Sequence, residues 1–146
     1  MKLNYDTKEF QIDRLSKLKI MPSKYNGQIS ATRENYHNNN NFIKNFLLNI
    51  YEGNNCLIRN IFLIQFQNEL SVIDGLNYIE ILNDFINDKV KLMGIIGNKD
   101  KKNPLFSELK SSQRRLFINF YFRTIVIQAK NEQDINHILI HLEKAF

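Results

Sequence analysis

Apolar positions along the chain change period several times, and each change marks an element. The clearest change lies in the stretch from Phe62 to Lys89. Ile61, Phe62, Leu63, Ile64 and Phe66 make an apolar run inside an extended segment from Leu57 to Gln67. Asn68-Glu69 is a turn signal. Leu70, Val72 and Ile73 then resume the strand pattern, which Asp74-Gly75 closes. From Leu76 the spacing becomes three and four, through Ile79, Leu82, Phe85 and Ile86, so an amphipathic helix follows. A strand that turns through glycine into a helix start directs backbone N–H groups at whatever lies above the turn. That arrangement is a natural anion site.

The rest of the chain reads in the same way. Residues 6 to 20 mix charges with Phe10, Ile12, Leu15, Leu18 and Ile20, which predicts a short helix over about 10–18 with Asp13 and Arg14 toward water. Met21-Pro22-Ser23 breaks it, Tyr25-Asn26-Gly27 is a turn, and Gln28 to Arg33 is a short extended piece. Asn38 to Asn41 offers several N-caps for a helix striped by Phe42, Ile43, Phe46, Leu47, Ile50 and Tyr51, with Gly53 as its C′ residue. Val90 to Ile96 reads as a short strand or extended edge, and Gly97 to Pro104 as a polar, basic loop. A helical turn is expected over Pro104 to Leu109. Ser111 or Ser112 can cap a helix carrying Leu116 and Phe117. Phe120 to Gln128 is rich in aromatic and β-branched residues and predicts a strand. Asn131 can cap a last helix bearing Ile135, Ile138, Leu139, Leu142 and Phe146. Strands and helices mix without regular βαβ alternation, so the expected class is α+β, a small mixed sheet flanked by helices. The length, 146 residues, suits one domain spanning 1–146. The pattern ends inside the last helix, which is the expectation for a shortened chain.

Composition sharpens this picture at a few points. Apolar residues at 43% and aromatics at 12% describe a globular chain rather than a disordered one. A net charge of +5 is compatible with a phosphate-bearing partner. The lone Cys56 excludes an intrachain disulfide and a thiolate metal cage, and reads as a packed thiol. The segment from Met1 to Asp6 has no long apolar core after its lysine, and no apolar run nears the about 20 residues that cross a bilayer. The expected compartment is the cytoplasm, without a membrane partner.

Candidate chemistry concentrates at Asp74-Gly75. In one reading Gly75, Leu76 and Asn77 hold a phosphate on their N–H groups while Asp74, the candidate catalytic residue, orients a water or a metal-bound water. In the other, Asp74 ends a strand and caps a helix. Arg33, near Tyr36 and His37, suits a bidentate phosphate contact and equally suits a surface ion pair. Lys99, Lys101 and Lys102 with Arg114 and Arg115 form a candidate nucleic-acid patch, set against the plainer reading of a wet loop and a solvated helix face. Gln113-Arg114-Arg115 has no glycine turn before it. His137 and His141 share a helix side, but no Glu follows His137 and no third ligand is evident, so no metal site is expected. Asp84 and Asp88 read as a solvated acidic edge. No Walker-type loop and no serine or cysteine nucleophile pattern occurs.

The order of landmarks resembles the N-terminal domain of GmrSD-type restriction enzymes. Ile29-Ser-Ala-Thr-Arg-Glu-Asn-Tyr-His37 stands where that family has Tyr-Gln-Arg-x-Tyr-x-Trp. Phe42 to Gly53 is similar to its Ile-x-x-Leu-Ile-x-Ser-Ile helix, and Leu70-Ser-Val-Ile-Asp-Gly75 to the strand leading into Asp-Gly-Gln-Gln-Arg. Asn77 to Leu92, Asn103 to Leu109, the strand from Phe120 and the last helix follow in family order, so the likeness runs from about Phe10 to Phe146. The resemblance implies a ParB/sulfiredoxin-like fold and nucleotide binding, with hydrolysis assisted by Mg²⁺, in a bacterial DNA restriction or phage-defence system. It also implies a partner: a separate nuclease, or the helical region that follows this domain in the family. Leu76-Asn77-Tyr78 replaces the motif's Gln-Gln-Arg, Thr32 its Gln and His37 its Trp. Losing an arginine at Tyr78 removes a phosphate clamp and a stabiliser of transition-state charge. The expectation is therefore a degenerate nucleotide-binding domain. The alternatives are a non-catalytic module that binds nucleic acid or protein, and an inactive truncated remnant.

Overall fold

The computed structural model describes residues 3–20, 40–53, 60–93 and 103–145. Their elements, in order, are strand β1 (Tyr5–Gln11), the single-turn helix α1 (Ile12–Leu15), strand β2 (Lys19–Ile20) and helix α2 (Asn40–Tyr51). Strands β3 (Ile61–Phe66) and β4 (Glu69–Asp74) then lead into helix α3 (Leu76–Ile86). A 3₁₀ turn (Phe106–Glu108), helix α4 (Ser111–Ile118), strand β5 (Tyr121–Gln128) and helix α5 (Glu132–Ala145) complete the order. The class is α+β, as the mixed pattern predicts.

The strands form one mixed sheet in the order β1-β5-β3-β4-β2. β3 and β4 are an antiparallel hairpin, β3 runs parallel to β5, and β1 runs antiparallel to β5. β2 lies parallel to β4, where Lys19 Nζ meets Glu69 Oε1 at 2.7 Å. Both faces of the sheet are covered, unequally. The larger core gathers Ile61 and Leu63 of β3, Val72 of β4, and Phe122 and Val126 of β5 under side chains of α1, α2, α3 and α4. Phe46 is its aromatic hub, with ring centroids 5.1 Å from Tyr78, 5.9 Å from Phe120 and 6.1 Å from Phe122. The smaller core sets Ile64, Ile73 and Ile127 against Ile135, Ile138, Leu139 and Leu142 of α5. Successive strand residues alternate between these cores, as pleating requires.

Several boundaries differ from the sequence expectations, each for a local reason. The helix expected over about 10–18 is shorter than that: β1 runs on through residues 10 and 11, and the helix is the one turn α1. Ile12 and Leu15 supply true three-residue spacing, but β1 is an edge strand exposed over most of its length. It therefore lacks the alternation that announces a half-buried strand. The β3–β4 turn falls on Gln67 and Asn68, with φ of 51° and 64°, one residue earlier than Asn68-Glu69. Two left-handed residues are what a tight two-residue hairpin needs. Over the described part of the Val90–Ile96 stretch there is no strand. Leu92 is buried there and its N–H donates to Pro104 O at 2.8 Å. Helix α4 starts one residue before the expected caps: Lys110 is the N-cap residue, and its N–H donates to the Gln113 side chain at 3.0 Å. Asn131 does cap α5, accepting from the Asp134 N–H at 2.8 Å. Gly53 follows α2 with φ of 75°, the left-handed C′ geometry. The extended piece at Gln28 to Arg33, the Met21-Pro22-Ser23 break, Cys56 and the basic loop to Lys102 lie outside the described residues.

Candidate functional site

The site begins with the way β4 ends. Leu63 lies opposite Val72, yet its neighbour Phe62 lies opposite Asp74, so Ile73 is an extra residue in β4. This β-bulge re-aims the strand just before its last residue. Gly75 then takes φ of 93° and serves as the N-cap residue of α3, with no side-chain cap. Asp74 is wholly buried, and it is one of two buried polar residues among those described; the other is Thr124. Asp74 interacts within the fold, and its Oδ2 atom accepts no hydrogen bond from a described residue. Asp74 ends β4, as the plainer reading expects, and the N-cap position of α3 is taken by Gly75.

Directly beside the turn stands Ile61. A Cβ built on Gly75 would collide with Ile61 Cδ1 and lie 3.3 Å from Ile61 Cα. Glycine is therefore required twice here, by its dihedral and by the close approach of β3. Apolar side-chain atoms fill that flank of the turn. The chain continues into the first turn of α3, where Leu76, Asn77 and Tyr78 are each half-buried. The Tyr78 N–H donates to Gly75 O at 3.1 Å, and the Tyr78 ring meets Phe46 edge-on. Asn77 is the polar side chain of this half-buried turn.

The other candidates divide sharply. Arg33, Lys99, Lys101 and Lys102 lie outside the described residues. Arg114 is half-buried, and its Nη1 donates to Leu109 O at 3.0 Å and to Ser107 O at 3.4 Å. Its guanidinium thus ties α4 to the preceding 3₁₀ turn. Gln113 works similarly: its Nε2 donates to the Tyr51 hydroxyl at 3.1 Å, joining α4 to α2. Of the arginine pair, Arg115 is the exposed one. Asp88 is not on a helix face, because α3 stops at Ile86. It sits in a turn with φ of 61°, and its Oδ1 accepts from the Ser107 N–H at 2.9 Å. His137 and His141 are both exposed on α5, and among the described residues no group of three or more His, Cys, Asp or Glu is arranged to hold a metal ion. No helix among the described residues is long and apolar enough to cross a membrane.

Two residues at this end of the sheet carry no motif, so sequence reasoning passed over them. Ile61 looks like any core position until β3 is laid beside Gly75. Thr124 lies opposite Ile61 across the parallel β3–β5 pair, and its Oγ1 donates to Lys8 O at 2.8 Å. A threonine at the alternate position between Phe122 and Val126, both buried, was the available signal. Comparison of the chain with family models, with curated proteins and with solved structures finds no match.

Proposed function

We propose that this chain is a degenerate GmrSD-like domain, ParB/sulfiredoxin-like in fold, that serves a bacterial restriction or phage-defence system by holding a nucleotide without hydrolysing it. The observation that carries the reading is the β4–Asp74–Gly75–α3 unit. A bulged strand ends in a buried carboxylate, passes through a left-handed glycine and opens a helix. Free N–H groups and the positive end of the helix dipole suit a phosphate at such a start.

Two details argue for binding over turnover. The position of the motif arginine holds Tyr78, whose ring is spent on Phe46 in the packing of the larger core. Asp74 is buried completely, out of reach of a bulk water that it could orient. A phosphate would approach from the solvent side of Leu76 and Asn77, because Ile61 occupies the other flank. Arg33 and a bound Mg²⁺ are further contacts that the resemblance implies.

Equilibrium binding of labelled ATP and GTP, run beside a phosphate-release assay with and without Mg²⁺, tests the proposal. Retained nucleotide with phosphate release no faster than buffer is the expected result. Asn77→Asp, which sets a negative charge at the first turn of α3, should weaken binding several-fold. Absence of binding removes this function and leaves a scaffold without nucleotide chemistry. Phosphate release above buffer returns the chain to the hydrolases.

A further inference from the structure

The free side of β1 carries more information than its exposure alone. Gln128 N–H donates to Asn4 O at 2.9 Å, so Asn4 and Gln128 are a hydrogen-bonded pair of the antiparallel ladder. Such pairs alternate along the strand. Asp6, opposite Val126, Lys8, opposite Thr124, and Phe10, opposite Phe122, therefore also turn their backbone groups toward β5. The Thr124 hydroxyl donating to Lys8 O agrees with this parity. The N–H and C=O groups of Tyr5, Thr7, Glu9 and Gln11 must then point away from the sheet. No strand among the described residues pairs with that side, and residues 5 to 9 are exposed. The register against β5 runs unbroken from Tyr5 to Gln11, without bulge or proline. Such an edge is ready to accept another strand.

We infer that β1 pairs antiparallel with β1 of a second copy of this chain, centred on Thr7, so that the two sheets become one. Parity and charge together select that register. Outward-pointing residues must face outward-pointing residues, which forces the two-fold axis through a residue rather than between two. An axis at Asp6 sets Asp6 against Asp6, one at Lys8 sets Lys8 against Lys8, and one at Glu9 sets Glu9 against Glu9. Each places like charges directly opposite, which is destabilising. An axis at Thr7 instead sets Asp6 of each copy against Lys8 of the other, with Tyr5 against Glu9 and Thr7 against Thr7. Charges on an edge strand usually discourage pairing with passing chains. Here the order Asp6-Thr7-Lys8-Glu9 refuses the registers centred on Asp6, Lys8 and Glu9, and of the others that the parity allows, the one centred on Thr7 pairs the most of β1.

Sedimentation equilibrium over a wide concentration range should show a monomer–dimer equilibrium. Asp6→Lys and Lys8→Asp, made singly, should each weaken it by about tenfold, because each turns both Asp–Lys contacts of the symmetric pair into like-charge contacts. The double variant Asp6→Lys/Lys8→Asp should restore it. Far-UV circular dichroism confirms that each variant is folded. Amide exchange of the unmodified chain supplies a second readout: Thr7 should become protected as concentration rises, while Lys8, already bonded to β5, should not change. A chain that sediments as a monomer throughout, a dimer indifferent to both single reversals, or a double variant that stays weak overturns the inference.

Discussion

At Gly75 a single hydrogen atom in place of a side chain lets three elements meet. Its φ of 93° suits glycine, and Ile61 of β3 fills the volume that a methyl group would need. Gly75→Ala should cost about 2–3 kcal/mol, combining left-handed backbone strain with overpacking. The two contributions can be separated. Ile61→Val deletes Cδ1, the atom that the new Cβ would strike. In the double variant the clash with Cδ1 should vanish, while the backbone strain and the tight approach to Ile61 Cα stay. Urea unfolding of the wild type, both singles and the double closes the cycle. The expected result is a favourable coupling of about 1 kcal/mol, since residues in direct contact do not add. Strict additivity would mean that the Cδ1 contact contributes nothing, and that the dihedral and the close approach of the β3 backbone make glycine necessary. This residue also marks the reach of sequence reading. The Asp74-Gly75 turn was legible, because Asp-Gly after an apolar run is a strand terminator. Ile61 above it was not legible, because its proximity arises from the pairing of β3 with β4.

Among elements, the β3–β4 hairpin shows how a correct reading can slip by one position. The apolar runs on either side were plain, yet Asn68-Glu69 was the signal read and Gln67-Asn68 is the turn used. Bond pairing of Phe66 with Glu69 decides the matter, leaving two residues for the loop. Gln67 is a poor occupant of its left-handed position, where Asn or Gly is preferred. Changing the pair to Asn-Gly, through Gln67→Asn with Asn68→Gly, should stabilise the chain by about 0.5–1 kcal/mol, read as a higher urea midpoint at unchanged slope. A lower midpoint would show that the Gln67 side chain makes a contact worth more than the backbone strain. β1 was harder to read for the opposite reason. Edge strands wet on both faces lose the period-two signature, while Ile12 and Leu15 give a genuine helical spacing to α1 just after β1. α2, α3 and α5 were legible because each buries one continuous stripe. Arg114 was not, because a sequence cannot distinguish a guanidinium in water from one that holds two carbonyls.

For the molecule as a whole, the question is whether two cores of unequal size behave as one. The sheet separates them. α1 to α4 supply the cover on one face, and α5 is the helix that covers the other among the described residues. Yet β3 and β5 send side chains to both, so neither core can form without the same strands. Ile81 of α3 and Ile138 of α5 probe the opposite sides, and both are fully buried. Ile81→Val and Ile138→Val should each cost about 1 kcal/mol, the usual result of removing one buried methyl group. As the two belong to different core clusters on opposite faces of the sheet, their effects should add to within about 0.5 kcal/mol. Both should also shift one common transition, whether unfolding is followed by far-UV circular dichroism or by tyrosine fluorescence. The chain has no tryptophan, and its tyrosines sit in several elements, so the optical signal reports on more than one region. If Ile138→Val instead split the transition in two, α5 would be an independently melting cover. The smaller core would then be a docked layer, and the stability of the larger core would survive its removal. A single shifted transition means that the shared strands couple the two faces, the behaviour expected of a small cooperative domain.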